Sequence, residues 1–188
     1  MIEVVRVCCV LLLAGCELVF PLEYDLPEPC GSDSRYEPIS GVPLVDETHR
    51  YRYIDDGKHW LFAERTCESE GAHLAVPEAF DELRALQDQM PLHGLVFGAW
   101  VGVVRDVDAP DPRDPASFRF ITGENVPFGL WRGGEPSNAP GTFPEIVAEL
   151  QKLDPNNSGG LNDKNPTEPD KYICECDRLE LAAFDVPE

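Results

Sequence analysis

The chain has 188 residues, 43% of them hydrophobic, and a formal net charge of −20 from 35 acidic and 15 basic side chains. This length and hydrophobic content predict one globular domain with a full core, plus extensions. Nucleic acids and anionic membrane surfaces both require cationic patches, so the charge argues against either as a partner. We expect most of the acidic side chains to serve solubility, and their excess also suits a secreted, cation-rich setting.

The N-terminus is predicted to be a targeting segment. The apolar run over residues 4–14 is too short to cross a bilayer and is typical of a signal peptide. It ends in L-A-G-C at 13–16, which resembles a bacterial lipobox. The resemblance implies a signal peptide over residues 1–15, a lipid on Cys16, and an outer-membrane lipoprotein at the cell surface or on the periplasmic face. The alternative is an ordinary signal peptide with an incidental cysteine.

Three further segments follow the predicted cleavage point. Residues 16–45 are rich in proline and poor in helix signals, which predicts an extended, lipid-anchored tether. Residues 46–177 form the predicted folded domain, and residues 178–188 form a short C-terminal tail. Contact with the membrane is therefore expected through the lipid anchor alone.

Apolar periodicity predicts the elements of the domain. Five strands are expected from alternating or continuous apolar runs, over residues 51–54, 98–103, 118–122, 146–150 and 171–177. Two helices are expected over 60–70 and 78–90, the first ended by Gly71, because glycine accepts a left-handed backbone. Residues 72–76 read as a short buried strand or turn that holds His73 in a structural role.

Two stretches are predicted to be irregular. The loop over 105–116 carries four aspartates that could hold a cation, namely Asp106, Asp108, Asp111 and Asp114. Its prolines instead favour a simple solvated loop. Residues 151–170 contain several glycines and prolines and are expected to form a loop region.

Candidate ligand side chains concentrate between residues 131 and 163. The chain reads W-R-G-G-E-P-S-N at 131–138, P-E-I-V-A-E-L at 144–150 and G-G-L-N-D at 159–163. Ca²⁺ takes about six to eight oxygen ligands, mostly from carboxylates and carbonyl groups. These stretches supply five such side chains, Glu135, Asn138, Glu145, Asn162 and Asp163. The bond before Pro136 can be cis, which would redirect the chain sharply.

Together with W-V-G-V at 100–103 and Y-I-C-E at 172–175, these motifs resemble the C-type lectin-like domain over about residues 51–176. The resemblance implies an α+β, C-type lectin-like fold with two helices, small antiparallel sheets and a long irregular loop region. In that family a W..GEPN loop, a downstream Glu and a WND motif bind Ca²⁺, and the same atoms hold sugar hydroxyls.

The resemblance also implies site residues in this chain. The implied Ca²⁺ ligands are Glu135, Ser137, Asn138, Glu145, Asn162 and Asp163. Four of them are also implied to contact the sugar, namely Glu135, Asn138, Glu145 and Asn162. Ser137 departs from the usual Asn, so either its Oγ or the neighbouring Asn138 must fill that place. Leu161 replaces the usual Trp, which we interpret as a packing change.

The implied function is Ca²⁺-dependent binding of a glycan or glycoprotein, with a mannose-type preference suggested by the Glu-Pro pair. The alternative is a Ca²⁺-independent lectin-like domain that binds a protein. We expect no enzymatic activity. Glu135 and Glu145 could pair as in glycosidases, but the sequence has no Ser/His/Asp arrangement, no His-rich metal site and no Gly-rich phosphate loop.

Four cysteines remain once the signal segment and the lipidated cysteine are set aside, and in an exported protein they predict two disulfides. Cys174 and Cys176 lie two apart in a predicted strand, so extended geometry excludes a bond between them. The resemblance implies a Cys67–Cys174 bond, which leaves Cys30 to pair with Cys176. A zinc site is the less favoured alternative, because no C-x-x-C pair exists.

Overall fold

A computed structural model describes Cys30 and residues 35–39, 49–141, 143–152, 159–177 and 181–182. The predicted signal peptide and Cys16, most of the tether and most of the tail lie outside these residues. Within the described residues, no helix is both long enough and apolar enough to span a bilayer.

The described chain folds into two α-helices and seven strands. The helices are α1 (Trp60–Glu68) and α2 (Phe80–Gln89), with short 3₁₀ helices at Met90–His93, Pro115–Ser117 and Phe128–Leu130. The strands are β1 (Arg50–Lys58), β2 (His73–Leu74), β3 (Gly98–Arg105), β4 (Phe118–Phe120), β5 (Val147–Gln151), β6 (Gly160–Lys164) and β7 (Asp170–Cys176). The α+β class is confirmed.

The strands join into one mixed sheet instead of the small antiparallel sheets that were expected. Its main path runs β1-β7-β3-β5-β6, while β2 pairs with β7 and β4 pairs with β3. Every pairing between named strands is antiparallel except that of β3 with β7, which meet in parallel at Trp100 and Tyr172. The last strand in the path, β6, carries Asn162 and Asp163 and therefore positions part of the predicted site.

Two buried tryptophans link elements of the core: Trp60 joins α1 to β3, and Trp100 joins β3 to the end of β1. The Trp60 indole N–H donates to the Val101 carbonyl at 2.9 Å, and the Trp100 indole N–H donates to the Lys58 carbonyl at 2.7 Å. Both side chains are fully buried, so each pairs its polar atom while removing a large apolar surface from water. The inward faces of α1 and α2 complete the core with Ala63, Cys67, Leu83 and Leu86.

The two predicted helices are confirmed, with shorter bounds. Helix α1 ends at Glu68, and Gly71 follows with a φ of 76° in the left-handed region. The prediction of irregular structure over 151–170 was wrong for residues 160–164, which form β6. The physical reason is that Gly-Leu-Asn-Asp-Lys holds a single large apolar residue, so its local pattern is weak and its pairing with β5 decides the conformation.

Both disulfides implied by the resemblance are present. Cys67–Cys174 joins α1 to β7 with Cα atoms 5.5 Å apart, and Cys30–Cys176 joins the segment before β1 to the end of β7 with Cα atoms 5.8 Å apart. Both separations lie within the usual range for disulfides.

Candidate functional site

The loop over 131–138 lies against β6. Trp131 forms a parallel bridge with Leu161, and the Arg132 N–H donates to the Leu161 carbonyl at 3.0 Å. Leu161 is fully buried, so it packs into the core as interpreted from the sequence. These contacts bring the Glu-Pro-Ser-Asn turn next to the strand that carries Asp163.

Asp163 organises the turn. Its side chain is buried, and its two carboxylate oxygens accept the backbone N–H groups of Ser137 at 2.8 Å and Asn138 at 2.7 Å. The peptide between Glu135 and Pro136 is cis, and Asn138 has a φ of 43°. The aspartate therefore fixes the positions of the residues that the sequence predicted as its fellow ligands.

Three carboxylates lie close enough here to influence one another's charge, although among the described residues they are not a group whose ligand atoms all lie within 4.8 Å of one another. Burial raises the pKa of Glu145 to about 7, helped by repulsion from Asp163 and Glu135 and opposed by the Ala139 N–H that its carboxylate accepts. Burial raises the pKa of Glu135 as well, and the nearby Asp163 carboxylate adds to the increase. A hydrogen bond to the Ser137 side chain opposes the shift. Gathered negative charge of this kind favours a bound cation.

Glu135 provides a direct test of whether a hard cation fits. Its Oε2 is buried and has no hydrogen-bond partner in the part of the chain that the structure describes. A buried carboxylate oxygen without a partner is costly, and coordination to a metal would satisfy it. The donor set of Glu135, Ser137, Asn138, Glu145 and Asp163 offers only oxygen atoms, which suits Ca²⁺.

A cationic side chain that the sequence analysis missed lies beside these carboxylates. Arg105, the last residue of β3, donates from Nη1 to Asn138 Oδ1 at 3.1 Å and to the Glu145 carbonyl at 3.2 Å. Burial lowers the pKa of its guanidinium, and Asp163 opposes that shift. The guanidinium therefore supplies positive charge at the place where the sequence predicted a metal ion.

Asn162 lies apart from this group. Successive side chains of a strand point to opposite faces, and the Asn162 amide donates to Glu149 Oε1 at 3.1 Å. Glu149 also accepts from Lys164 Nζ at 3.0 Å and from Gln151 at 2.9 Å. Ser137 and Asn138 meet Asp163 through their backbone N–H groups, and Glu135 and Glu145 lie near it. The ligand roles of all six residues, Asn162 included, stay predictions.

The aspartates of the 105–116 loop have local partners. Three of them each accept a hydrogen bond from the backbone N–H two residues further along: Asp106 at 3.0 Å, Asp111 at 2.9 Å and Asp114 at 2.9 Å. Such bonds stabilise turns. They agree with the solvated-loop interpretation of this stretch.

Gly160 fixes the contact between β6 and the 131–138 loop. Its φ is 125°, and a Cβ atom there would stand 2.9 Å from both the Arg132 nitrogen and the Leu130 oxygen. We expect Gly160→Ala to lower the free energy of unfolding by about 1–3 kcal/mol, because the new methyl group meets backbone and the conformation is strained. Urea denaturation measures the change.

The matched control is Gly133→Ala in the same loop, where an added Cβ has nothing within 4 Å. We expect that variant to unfold within about 0.5 kcal/mol of the parent protein. Equal stability of the two variants would show that the close approach at Gly160 is not a constraint.

Known proteins share this fold. No protein-family model matches the sequence. The chain is 25% identical over 148 residues to the C-type isolectin Sp-CL4 of Scorpaena plumieri, a match that covers 78% of this chain and 88% of that protein.

Solved structures that share the fold include the following two. The carbohydrate-recognition domain of the human scavenger receptor C-type lectin has a TM-score of 0.60 and 19% identity, covering 77% of this chain and 98% of that chain. SPL-1, solved as a complex with GlcNAc, has a TM-score of 0.59 and 18% identity, covering 78% of this chain and 96% of that chain. The protein therefore has the C-type lectin fold, as the motifs predicted.

Proposed function

We propose that this protein is a Ca²⁺-dependent glycan-binding module. The observation that carries the proposal is the buried Glu135 Oε2, which has no hydrogen-bond partner among the described residues and belongs to a carboxyl group that interacts with the neighbouring Asp163 and Glu145. The comparisons support the sugar as ligand, because the similar proteins are named as a lectin, a carbohydrate-recognition domain and a GlcNAc complex. The partner is then a glycan or glycoprotein, and we expect no catalysis.

Each residue has a distinct part in this proposal. Bound Ca²⁺ would supply coordination positions for a pair of neighbouring sugar hydroxyls. Asp163 holds the turn through the Ser137 and Asn138 N–H groups, so the turn is preformed. Glu135 and Glu145 can accept hydrogen bonds from hydroxyls, and the Asn138 Nδ2 can donate one, since its Oδ1 faces Arg105. Participation of Asn162 requires its amide to leave Glu149. A mannose-type preference is part of the proposal and rests on the Glu-Pro pair.

The testing experiment is a glycan array probed with Ca²⁺ and with EDTA, alongside thermal denaturation across a Ca²⁺ titration. We expect glycan signals that EDTA removes and a melting temperature that rises with Ca²⁺, because the ion binds the folded state. Extracellular modules bind Ca²⁺ with a Kd of about 10⁻⁴–10⁻³ M, so the titration extends into the millimolar range.

Variants assign the effect to the site. Glu135→Gln and Asp163→Asn should abolish the Ca²⁺-dependent rise in melting temperature, while Asp108→Asn in the solvated loop should keep it. Glycan binding that persists in EDTA would contradict the calcium dependence. The absence of both glycan signals and a thermal shift would contradict the proposal as a whole.

Arg105 is expected to weaken Ca²⁺ binding through its positive charge. Replacing it by glutamine should raise the Ca²⁺ affinity by roughly three- to tenfold, since the site then no longer contains a competing cation. Titration calorimetry measures the change, with Arg119→Gln on the exposed side of β4 as the charge-matched control. A lower affinity in Arg105→Gln would instead mean that the guanidinium is needed to hold Asn138 and the Glu145 backbone in place.

Arg105 is also the observation that favours a second candidate function. An internal guanidinium that already contacts Asn138 and the Glu145 carbonyl can offset the carboxylates without a metal ion. The domain would then bind a protein partner independently of Ca²⁺.

For either function we propose, on the L-A-G-C motif alone, that a lipid on Cys16 displays the domain at the outer membrane, where clustering would raise the avidity of a weak site.

A further inference from the structure

A second cluster of ligand-type side chains lies at the end of β7, away from the carboxylates described above. Two of the four histidines of the chain meet two acidic residues there. His49 Nδ1 lies 2.6 Å from Glu175 Oε1, and His73 Nε2 lies 3.0 Å from Asp177 Oδ1. The two pairs are neighbours, because Glu175 of β7 and Asp177 just after it each place a carboxylate oxygen within 4.8 Å of a His49 ring nitrogen.

We propose that His49, Glu175 and Asp177 form a binding site for a divalent transition-metal ion of the Zn²⁺ type. One potential ligand atom from each residue lies within 4.8 Å of those of the other two. Glu175 is fully buried, the Asp177 side chain is 2% exposed and the His49 side chain is 15% exposed. An ion can therefore enter from the His49 side and be held by two carboxylates that are shielded from water.

The donor atoms decide which metal fits. One imidazole nitrogen and two carboxylate oxygens match a Zn²⁺ site with three protein ligands and a water molecule in the fourth position. Ca²⁺ instead takes about six to eight oxygen ligands and has little use for an imidazole. With His49 as a neutral ligand, the two carboxylates carry a charge of about −2, which balances the ion.

Neighbouring groups already hold the two carboxylates in place. The Val76 N–H donates to Glu175 Oε2 at 2.8 Å, which leaves Oε1 directed at His49. His73 contacts the Leu74 carbonyl through Nδ1 at 2.8 Å and Asp177 through Nε2, so its ring links Asp177 to the backbone of β2. Hydrogen-bonded partners of this kind orient ligands in metal sites and strengthen binding.

A metal ion that binds here must replace the proton between His49 and Glu175. A nitrogen and a carboxylate oxygen 2.6 Å apart share one proton. Metal binding exchanges that proton for the ion, with both side chains as ligands. Because Asp177 directly follows Cys176, which is bonded to Cys30, the ion would add a second link between the segment before β1 and the end of β7.

The test is calorimetric titration of the full chain, carrying no affinity tag and stripped with EDTA, with Zn²⁺ and separately with Co²⁺. We expect one site per chain and a rise in melting temperature on binding. Bound Co²⁺ should also show the visible absorption bands of an ion that has few ligands, all of them nitrogen or oxygen atoms. His49→Ala and Asp177→Asn should each weaken Zn²⁺ binding by at least about tenfold.

Two further variants test whether the Zn²⁺ ion binds at this cluster. His59→Ala removes an exposed histidine outside the cluster and should leave Zn²⁺ binding unchanged. Asp163→Asn should also leave it unchanged, which distinguishes the site from the carboxylate cluster proposed for Ca²⁺. The proposal is overturned if the folded parent chain does not bind Zn²⁺, or if His49→Ala, shown to be folded by its circular dichroism, binds with the parent affinity.

Discussion

Replacing Cys67 and Cys174 together by alanine is expected to lower the free energy of unfolding by about 2–5 kcal/mol. The bond spans 107 residues, so its loss releases a long segment of the unfolded chain from a constraint. Both cysteines are fully buried between α1 and β7, so the smaller alanines also leave unfilled space in the core. Urea denaturation at neutral pH, with the midpoint and the slope fitted separately, measures the change.

The second disulfide provides the comparison. Cys30–Cys176 spans 146 residues, so the entropy of loop closure alone predicts a contribution of similar size to the free energy of unfolding. It ties down a short segment before β1, in which Tyr36 is buried and Glu37 bridges to Tyr51. Without the bond this segment can detach locally while the sheet stays intact. We therefore expect a smaller loss of global stability in Cys30→Ala/Cys176→Ala, and an equal or larger loss would contradict this ranking.

The stability of the domain is expected to fall as the pH rises through the titration of Glu64. Burial in α1 raises the pKa of this carboxyl from 4.5 to about 7, although the Leu74 N–H donates to its Oε2 at 2.7 Å. Its Oε1 is buried and has no hydrogen-bond partner among the described side chains and backbone groups. The folded state therefore favours the protonated acid.

The sign follows from proton linkage. Between pH 4.5 and about 7 the unfolded chain has released this proton while the folded chain still binds it. Stability therefore decreases with rising pH across that window and is independent of this group above it. The expected loss is about 3 kcal/mol, the energy equivalent of the shift.

Glu64→Gln tests this linkage, because glutamine keeps an acceptor for the Leu74 N–H and cannot ionise. Unfolding free energies measured from pH 4.5 to 8 should fall less steeply in the variant than in the parent. The slope is the criterion, because a buried amide adds its own unsatisfied donor. Glu68→Gln, on the exposed side of the same helix, should keep the parent slope. Parallel curves for Glu64→Gln and the parent would show that the buried carboxyl stays ionised across this range.

Local pattern in the sequence was sufficient for the two helices, because apolar residues repeat at helical spacing around Trp60, Ala63 and Cys67 and again around Leu83 and Leu86. It also located the Glu-Pro-Ser-Asn turn, because these four residues are contiguous, while their role as ligands stays a prediction. The disulfide partners and the lectin-type fold came from the resemblance that these motifs carry. Each of these features depends on residues close together in the chain or on a recognisable order of short motifs.

Tertiary structure alone decided the rest. Strand β6 has one large apolar residue, so its conformation depends on pairing with β5. Because side chains alternate along the strand, Asn162 contacts Glu149 while Asp163 contacts the turn. Arg105 gives no local signal, and it meets Asn138 because β3 ends beside the turn. His49 and Glu175 lie 126 positions apart and meet through the pairing of β1 with β7. Contacts between residues so distant depend on which strands become neighbours, and periodicity within a short window carries no information about that choice.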